Sequence, residues 1–151
     1  MNGLATGIGF SAAARQSQEG LRRSIDQLRT AQTFSIGQAF GELGEVFGDC
    51  RHPNWDGHGA EPVSQNTMRV AYCFIEAIPL GTSGPSVGAD PDGHLTLEWY
   101  RHPRKILSVS IDEDGDLHYA AIIGPSQFKG TTPFLGEVPG EILGLISRVS
   151  T

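Results

Sequence analysis

Between His94 and Ile123 apolar and polar residues alternate in three successive runs, and the gaps between the runs leave room only for turns. Leu95, Leu97 and Trp99 fall on one side of the first run, with Thr96, Glu98 and Tyr100 on the other. A period of two is that of a strand with one face in a core and one in water. The second run, Lys105–Ile111, sets Leu107, Val109 and Ile111 against Ile106, Ser108 and Ser110; in the third, Leu117, Tyr119, Ala121 and Ile123 are in phase. The connectors His102-Pro103 and Asp112-Glu-Asp-Gly-Asp116 are turn-forming. Parallel neighbours would need crossovers of about a dozen residues or more, so these strands must pair antiparallel. A short strand over Pro85–Ala89, joined through Asp90-Pro-Asp-Gly93, begins the meander.

Helices supply the cover. Ser64 has the chemistry of an N-cap, and Val70, Ala71, Phe74, Ile75 and Ile78 form an apolar stripe that ends at Pro79. Pro139, near the first helical position, opens a last helix carrying Ile142, Leu143, Ile146 and Val149. The expectation is an α+β fold, a three-to-four-stranded antiparallel meander with helices packed on one face.

The N-terminal third carries two separate helical patterns. Leu21, Ile25 and Leu28 recur on one face between about Ser17 and Arg29, with Arg15, Arg22, Arg23 and Arg29 mostly off it. Ile36, Phe40, Leu43 and Phe47 repeat the spacing, but Gly37, Gly41, Gly44 and Gly48 each cost a helix roughly 1 kcal/mol relative to Ala. Gly37-x-x-x-Gly41 would permit close approach of another helix. The expected division is a helical arm over 1–47 and an α+β domain over 48–151. The opening MNGLATGIGFSAAAR has the small residues of a signal peptide but no basic start, and its glycines weaken a helix; it is expected to be a loose arm.

Composition narrows the function. With 11 basic against 17 acidic residues the net charge is −6, which argues against direct nucleic-acid binding, where cations must displace counterions. No apolar run approaches the roughly 20 residues that span a bilayer, so no membrane partner is expected. Cys50 and Cys73 cannot build a disulfide framework; as reduced thiols they fit a cytoplasmic protein, with Cys73 as a small core residue.

Three groups of residues could carry chemistry. Cys50, His52, Asp56 and His58 are all zinc-ligand types in one loop, but they lack the paired spacing of zinc sites; the expectation is a turn-rich loop with Trp55 in the core and no metal or other cofactor. Asp112-Glu-Asp-Gly-Asp116 puts its glycine too early for a calcium loop and is expected to be a hairpin turn. Between positions 84 and 124 there are seven acidic residues and three basic ones, and Arg101, Arg104 and Lys105 sit together with His102 at one hairpin tip. Such a tip can grip a phosphate or an acidic protein surface, or simply protect a sheet edge. No nucleophile elbow, phosphate loop or dinucleotide fingerprint occurs, so the reading leans away from an enzyme. The catalytic alternative is a small hydrolase-type enzyme using Glu98 with His94, His102 or His118. A metal-binding domain centred on Cys50–His58 is the other.

Pro-Asn-Trp-Asp-Gly-x-Gly-Ala60, Pro-Ser-Val-Gly-Ala89, Leu-Thr-Leu-Glu-Trp-Tyr-Arg101 and Asp-Gly-Asp-Leu-His-Tyr-Ala120 together resemble a recurring family of small uncharacterised bacterial proteins. The likeness covers roughly positions 48 to 149 and implies no transferable activity. It suggests an accessory protein of mobile-element or defence type. With acidity and small size, it gives the expected function: a non-enzymatic protein-binding module. Such a module would be antitoxin-like or an inhibitor of a nucleic-acid-handling complex, with Arg101, His102, Arg104 and Lys105 meeting a protein partner.

Overall fold

The computed structural model describes residues 12–151, so the loose arm expected at the chain's start lies, up to residue 11, outside the described residues. Eight elements follow in order: α1 (Ala12–Cys50), α2 (Gln65–Glu76), β1 (Ser86–Ala89), β2 (Leu95–His102), β3 (Lys105–Ile111), β4 (Asp116–Ile123), β5 (Ser126–Pro133) and α3 (Gly140–Ser150). The strands form one antiparallel sheet in the order β1-β2-β3-β4-β5. Its register lines up Leu97, Val109 and Tyr119 across three strands, and Trp99, Leu107 and Ala121 in the next row. Leu95, Leu97, Trp99, Leu107, Val109, Ile111 and Leu117 are buried on this face, under the helices. Thr96, Glu98 and Tyr100 are on the other face, as the alternation predicts.

The strand count is five, where three to four were expected. The extra one, Ser-Gln-Phe-Lys-Gly-Thr-Thr-Pro133, has no apolar alternation to announce it. An edge strand buries little, and Pro133 costs no ladder bond at its end. Gly130 leaves room for the Tyr119 ring, which lies across it and donates its hydroxyl to Glu141 of α3 at 2.9 Å.

The two N-terminal helical patterns are one helix of 39 residues. Counting at 3.6 residues per turn, Leu21, Ile25 and Leu28 share a face with Ala39, Leu43 and Cys50. The last three belong to the core, whereas every residue from 21 to 31 is exposed. The division expected at residue 47 therefore does not follow the packing: Ala39 and Leu43 are fully buried, and the helix leaves the body near residue 34. Gly37, Gly41, Gly44 and Gly48 lie on the outward face, where a Cβ would meet nothing within 4 Å. No close helix approach is made at Gly37-x-x-x-Gly41 among the described residues, and burial of the opposite face holds the helix.

α2 starts as expected, with Ser64 Oγ accepting from the Thr67 amide at 3.1 Å. Cys73 does not enter the core; α2 buries Thr67, Val70, Ala71, Phe74 and Ile75, and Cys73 lies beside that stripe in solvent. Cys50 is the buried thiol.

The loop from Pro79 to Gly84 fastens these parts together. Trp99 Nε1 donates to Ser83 O at 2.8 Å, Gln32 Nε2 to Gly81 O at 2.7 Å, and the Gly84 amide to Ser35 Oγ at 2.9 Å. A side chain at Gly84 would strike α1, since a Cβ there would sit 2.7 Å from Ser35 O. Trp99 is thus both core filling and anchor. Trp99→Ala should cost about 3–5 kcal/mol, measured by chemical denaturation. An unchanged midpoint would mean that its ring does not fill the interior.

Candidate functional site

The face of α1 that packs on the body continues past the last contact as an apolar stripe that is exposed among the described residues. Leu21 and Leu28 are 62% and 63% exposed, and Ile25 is 39% exposed. Where the helix leaves, it overhangs a groove of about 630 Å³. Leu28 and Ala31 form its upper wall, Leu143 and Ser147 of α3 the lower, and Arg101 stands between them. Arg101 Nη1 donates to Ser150 O at 3.0 Å, so a guanidinium closes the carbonyl end of α3, where a positive charge is favoured.

Arg101 also begins the basic hairpin tip. β2 and β3 are joined at His102-Pro-Arg-Lys105, with a register shift between Tyr100 and His102. His102 Nδ1 accepts from the Arg104 amide at 3.2 Å, and Arg104 O accepts from the Gly124 amide at 2.8 Å. Arg101, His102 and Arg104 are exposed and Lys105 is half-buried. The tip is therefore held by its backbone while Arg104 presents its charge. Sequence reasoning found the tip but not the groove, because the groove needs residues more than a hundred positions apart.

The catalytic alternative needs Glu98 beside a histidine. In the register Glu98 shares its row with Ser86 and Ser108, whereas His118 lies in the row of Thr96, Ser110 and Thr131. Among the described residues, Glu98 makes no side-chain hydrogen bond or ion pair with a histidine. The histidines instead meet each other: the rings of His94 and His118 stack at 5.8 Å, 8° from parallel. His94 Nδ1 approaches both Ser110 Oγ and Asp92 Oδ2 at 3.3 Å. A nucleophile relay needs hydroxyl and carboxylate on different nitrogens, and here they share one. His118 does separate them, with Asp112 Oδ2 at 2.9 Å from Nε2 and Thr131 Oγ1 at 3.1 Å from Nδ1. That relay lies on an open sheet face, outside the described grooves, and it ties the β3–β4 turn to the edge strand β5. Ser110 and Thr96 both donate to Asp90, which fastens the first turn of the meander in the same way.

The loop that holds the metal-ligand types is built by backbone geometry. Asn54 adopts a left-handed φ of 60°, and its Oδ1 accepts from the Gly59 amide at 2.6 Å. Asp56 Oδ1 takes the amides of His58 at 2.8 Å and Ala60 at 3.1 Å. These bonds, the His58 amide foremost, hold the Asp56 carboxyl below its usual range. Trp55 packs against the core and donates to Glu61 O at 2.8 Å. Cys50 is buried, and burial, with Asp49 adding, raises its thiol pKa; a metal would need the thiolate. His52 and His58 are exposed. Among the described residues no three His, Cys, Asp or Glu side chains are grouped to hold a metal ion.

The Asp112 turn is a hairpin turn as expected. Gly115 has a φ of 84°, and Asp112 Oδ1 accepts the amides of Asp114 at 2.9 Å and Asp116 at 3.0 Å. Partial burial pushes the Asp112 carboxyl up, but the His118 hydrogen bond and the two amides outweigh it and leave the pKa lowered. A lowered carboxyl contributes stability that is present above the unfolded value, near 3.9, and lost as pH falls through the folded one. The melting temperature of the native chain should therefore fall as the pH is lowered below about 5, and Asp112→Asn should weaken that dependence. An identical acid slope in the variant would assign it to another carboxylate.

Comparison with family models, with curated proteins and with solved structures finds no match to this chain, so the family likeness rests on its motifs alone.

Proposed function

We propose that this chain is a non-enzymatic protein-binding module, acting in the cytoplasm as a neutralising or inhibitory partner of mobile-element or defence type. The observation that carries the binding part is the overhanging α1 stripe. Three core-type side chains in phase with the buried stripe are exposed, and the last of them, Leu28, lines a groove that opens beside a basic tip. Contiguous apolar surface bordered by polar groups marks a place where another molecule docks. The family likeness transfers no activity and suggests only an accessory protein of mobile-element or defence type; the acidic body supports a neutralising role, since acidity suits a protein that competes for a nucleic-acid-handling surface. No helix among the described residues is long and apolar enough to cross a membrane.

The motifs that are most distinctive in the sequence support the same reading by what they do. Asn54, Asp56, Gly57 and Gly59 shape a loop, and Trp99 anchors another. Their pattern is accounted for by architecture, which leaves the groove and the tip as the surfaces open to recognition.

Affinity capture from the organism that encodes the chain, followed by mass spectrometry, should yield one stoichiometric partner. Arg104→Ala with Lys105→Ala should slow its association severalfold in low salt, with the loss shrinking as salt rises and the melting curve unchanged. Arg101→Ala should add a small drop in melting temperature, because it also frees the end of α3. No stoichiometric partner would contradict the module reading; an unchanged association rate would remove the tip from the site.

A further inference from the structure

The groove and the arm also state what kind of partner they fit. Arg22 and Arg29 each follow a leucine of the stripe by one residue, so both lie along the same edge of it. Among the described residues neither makes an ion pair. The other edge carries Ser24 and Ala31, which are neutral, and the arm's acids, Glu19 and Asp26, lie beyond the arginine edge, within one turn of Arg22 and Arg29 but farther from the stripe. Residues 12–34 hold four of the chain's 11 basic residues but only two of its 17 acidic ones. The groove beneath adds Arg101, and no Asp or Glu side chain is among the described residues that line it.

We propose that the occupant is an acidic amphipathic helix of the partner, laid along Leu21, Ile25 and Leu28 with its carboxylates facing Arg22, Arg29 and Arg101. This rests on the reading of the chain as a protein-binding module. An apolar stripe at helical spacing takes another helix by the same side-chain interdigitation that packs helices in a core. The unpaired arginines on one edge select the charge of that helix. A second copy is a poor fit: in an antiparallel pair the two arginine edges would meet, and in a parallel pair they would face neutral residues. The first eleven residues contain no acidic residue to serve in its place. A bilayer is a poor fit as well, because the lower wall belongs to α3, whose Ser147, Ser150 and Thr151 line the groove.

The test uses the full chain and two synthetic amphipathic peptides with identical leucine stripes, one flanked by glutamates and the other by lysines. The glutamate peptide should bind at least about tenfold more tightly, by fluorescence anisotropy, with an advantage that shrinks as salt is raised. Leu28→Asp should abolish binding, and Arg22→Glu with Arg29→Glu should reverse the preference between the peptides. Because these side chains are exposed, the variants should keep the native circular dichroism and melting curve. Equal binding of both peptides, or binding of neither, overturns the proposal. So does sedimentation showing a dimer that Leu28→Asp dissolves, or adsorption to vesicles of anionic lipid that the same change removes. If the peptides fail while affinity capture still yields a stoichiometric partner, the helix proposal falls and the module reading stands. If capture also fails, both fall.

Discussion

The arrangement depends on a clamp of three hydrogen bonds between parts distant in sequence. Trp99 in β2 holds Ser83, Gln32 of α1 holds Gly81, and Ser35 of α1 holds the Gly84 amide. One short loop thus joins the long helix to the sheet at the point where the helix stops being core. Each bond contributes only about 1 kcal/mol net. Their position matters more than their sum, because they decide where α1 leaves the body and so how far its stripe overhangs. Glu42 reinforces the joint by accepting the Val87 amide at 2.9 Å, which satisfies the outer edge of β1. Without that cover, a short edge strand would present open amides to other chains.

The sheet was legible in the sequence because its face must be hydrophobic and its other face wet. Leu95, Leu97 and Trp99 on one side, and the turns Asp90–Gly93 and Asp112–Asp116, leave an antiparallel meander as the only connection of suitable length. β5 was not legible: it packs one apolar side chain, Phe128, against the core and sets Gly130 under the Tyr119 ring, so it needs no apolar alternation of its own. Nor was the unity of α1. Four glycines argue for a break by propensity, yet they lie on the outward face, and burial of Ala39 and Leu43 on the other face outweighs their cost. Cys73 shows the same limit on a smaller scale, since a residue one step off a helical stripe differs little in pattern from one on it.

The candidate site divides in the same way. The basic tip is local and was visible as a cluster of charge in an acidic stretch. The groove joins Leu28 to Ser147 and Arg101, and only the packing of α3 against the sheet brings these together. The loop with four zinc-ligand residue types is shaped by its backbone, as a turn-rich loop would be. Its cysteine is withdrawn into the core and its aspartate is engaged by two amides.

Charge follows the same partition. The arm is basic and the body acidic, a charge division that opposes pairing of one arm with another and favours carboxylates. α1 is a single continuous helix, core at its C-terminal end and exposed among the described residues at the other. Amide hydrogen exchange along α1 tests it directly. The account predicts strong protection from about residue 36 to Cys50 and exchange orders of magnitude faster between Ala12 and about residue 31, since unpacked helix opens locally. Protection that is uniform from Ala12 to Cys50 would show that the arm is packed in the free protein and would contradict the account.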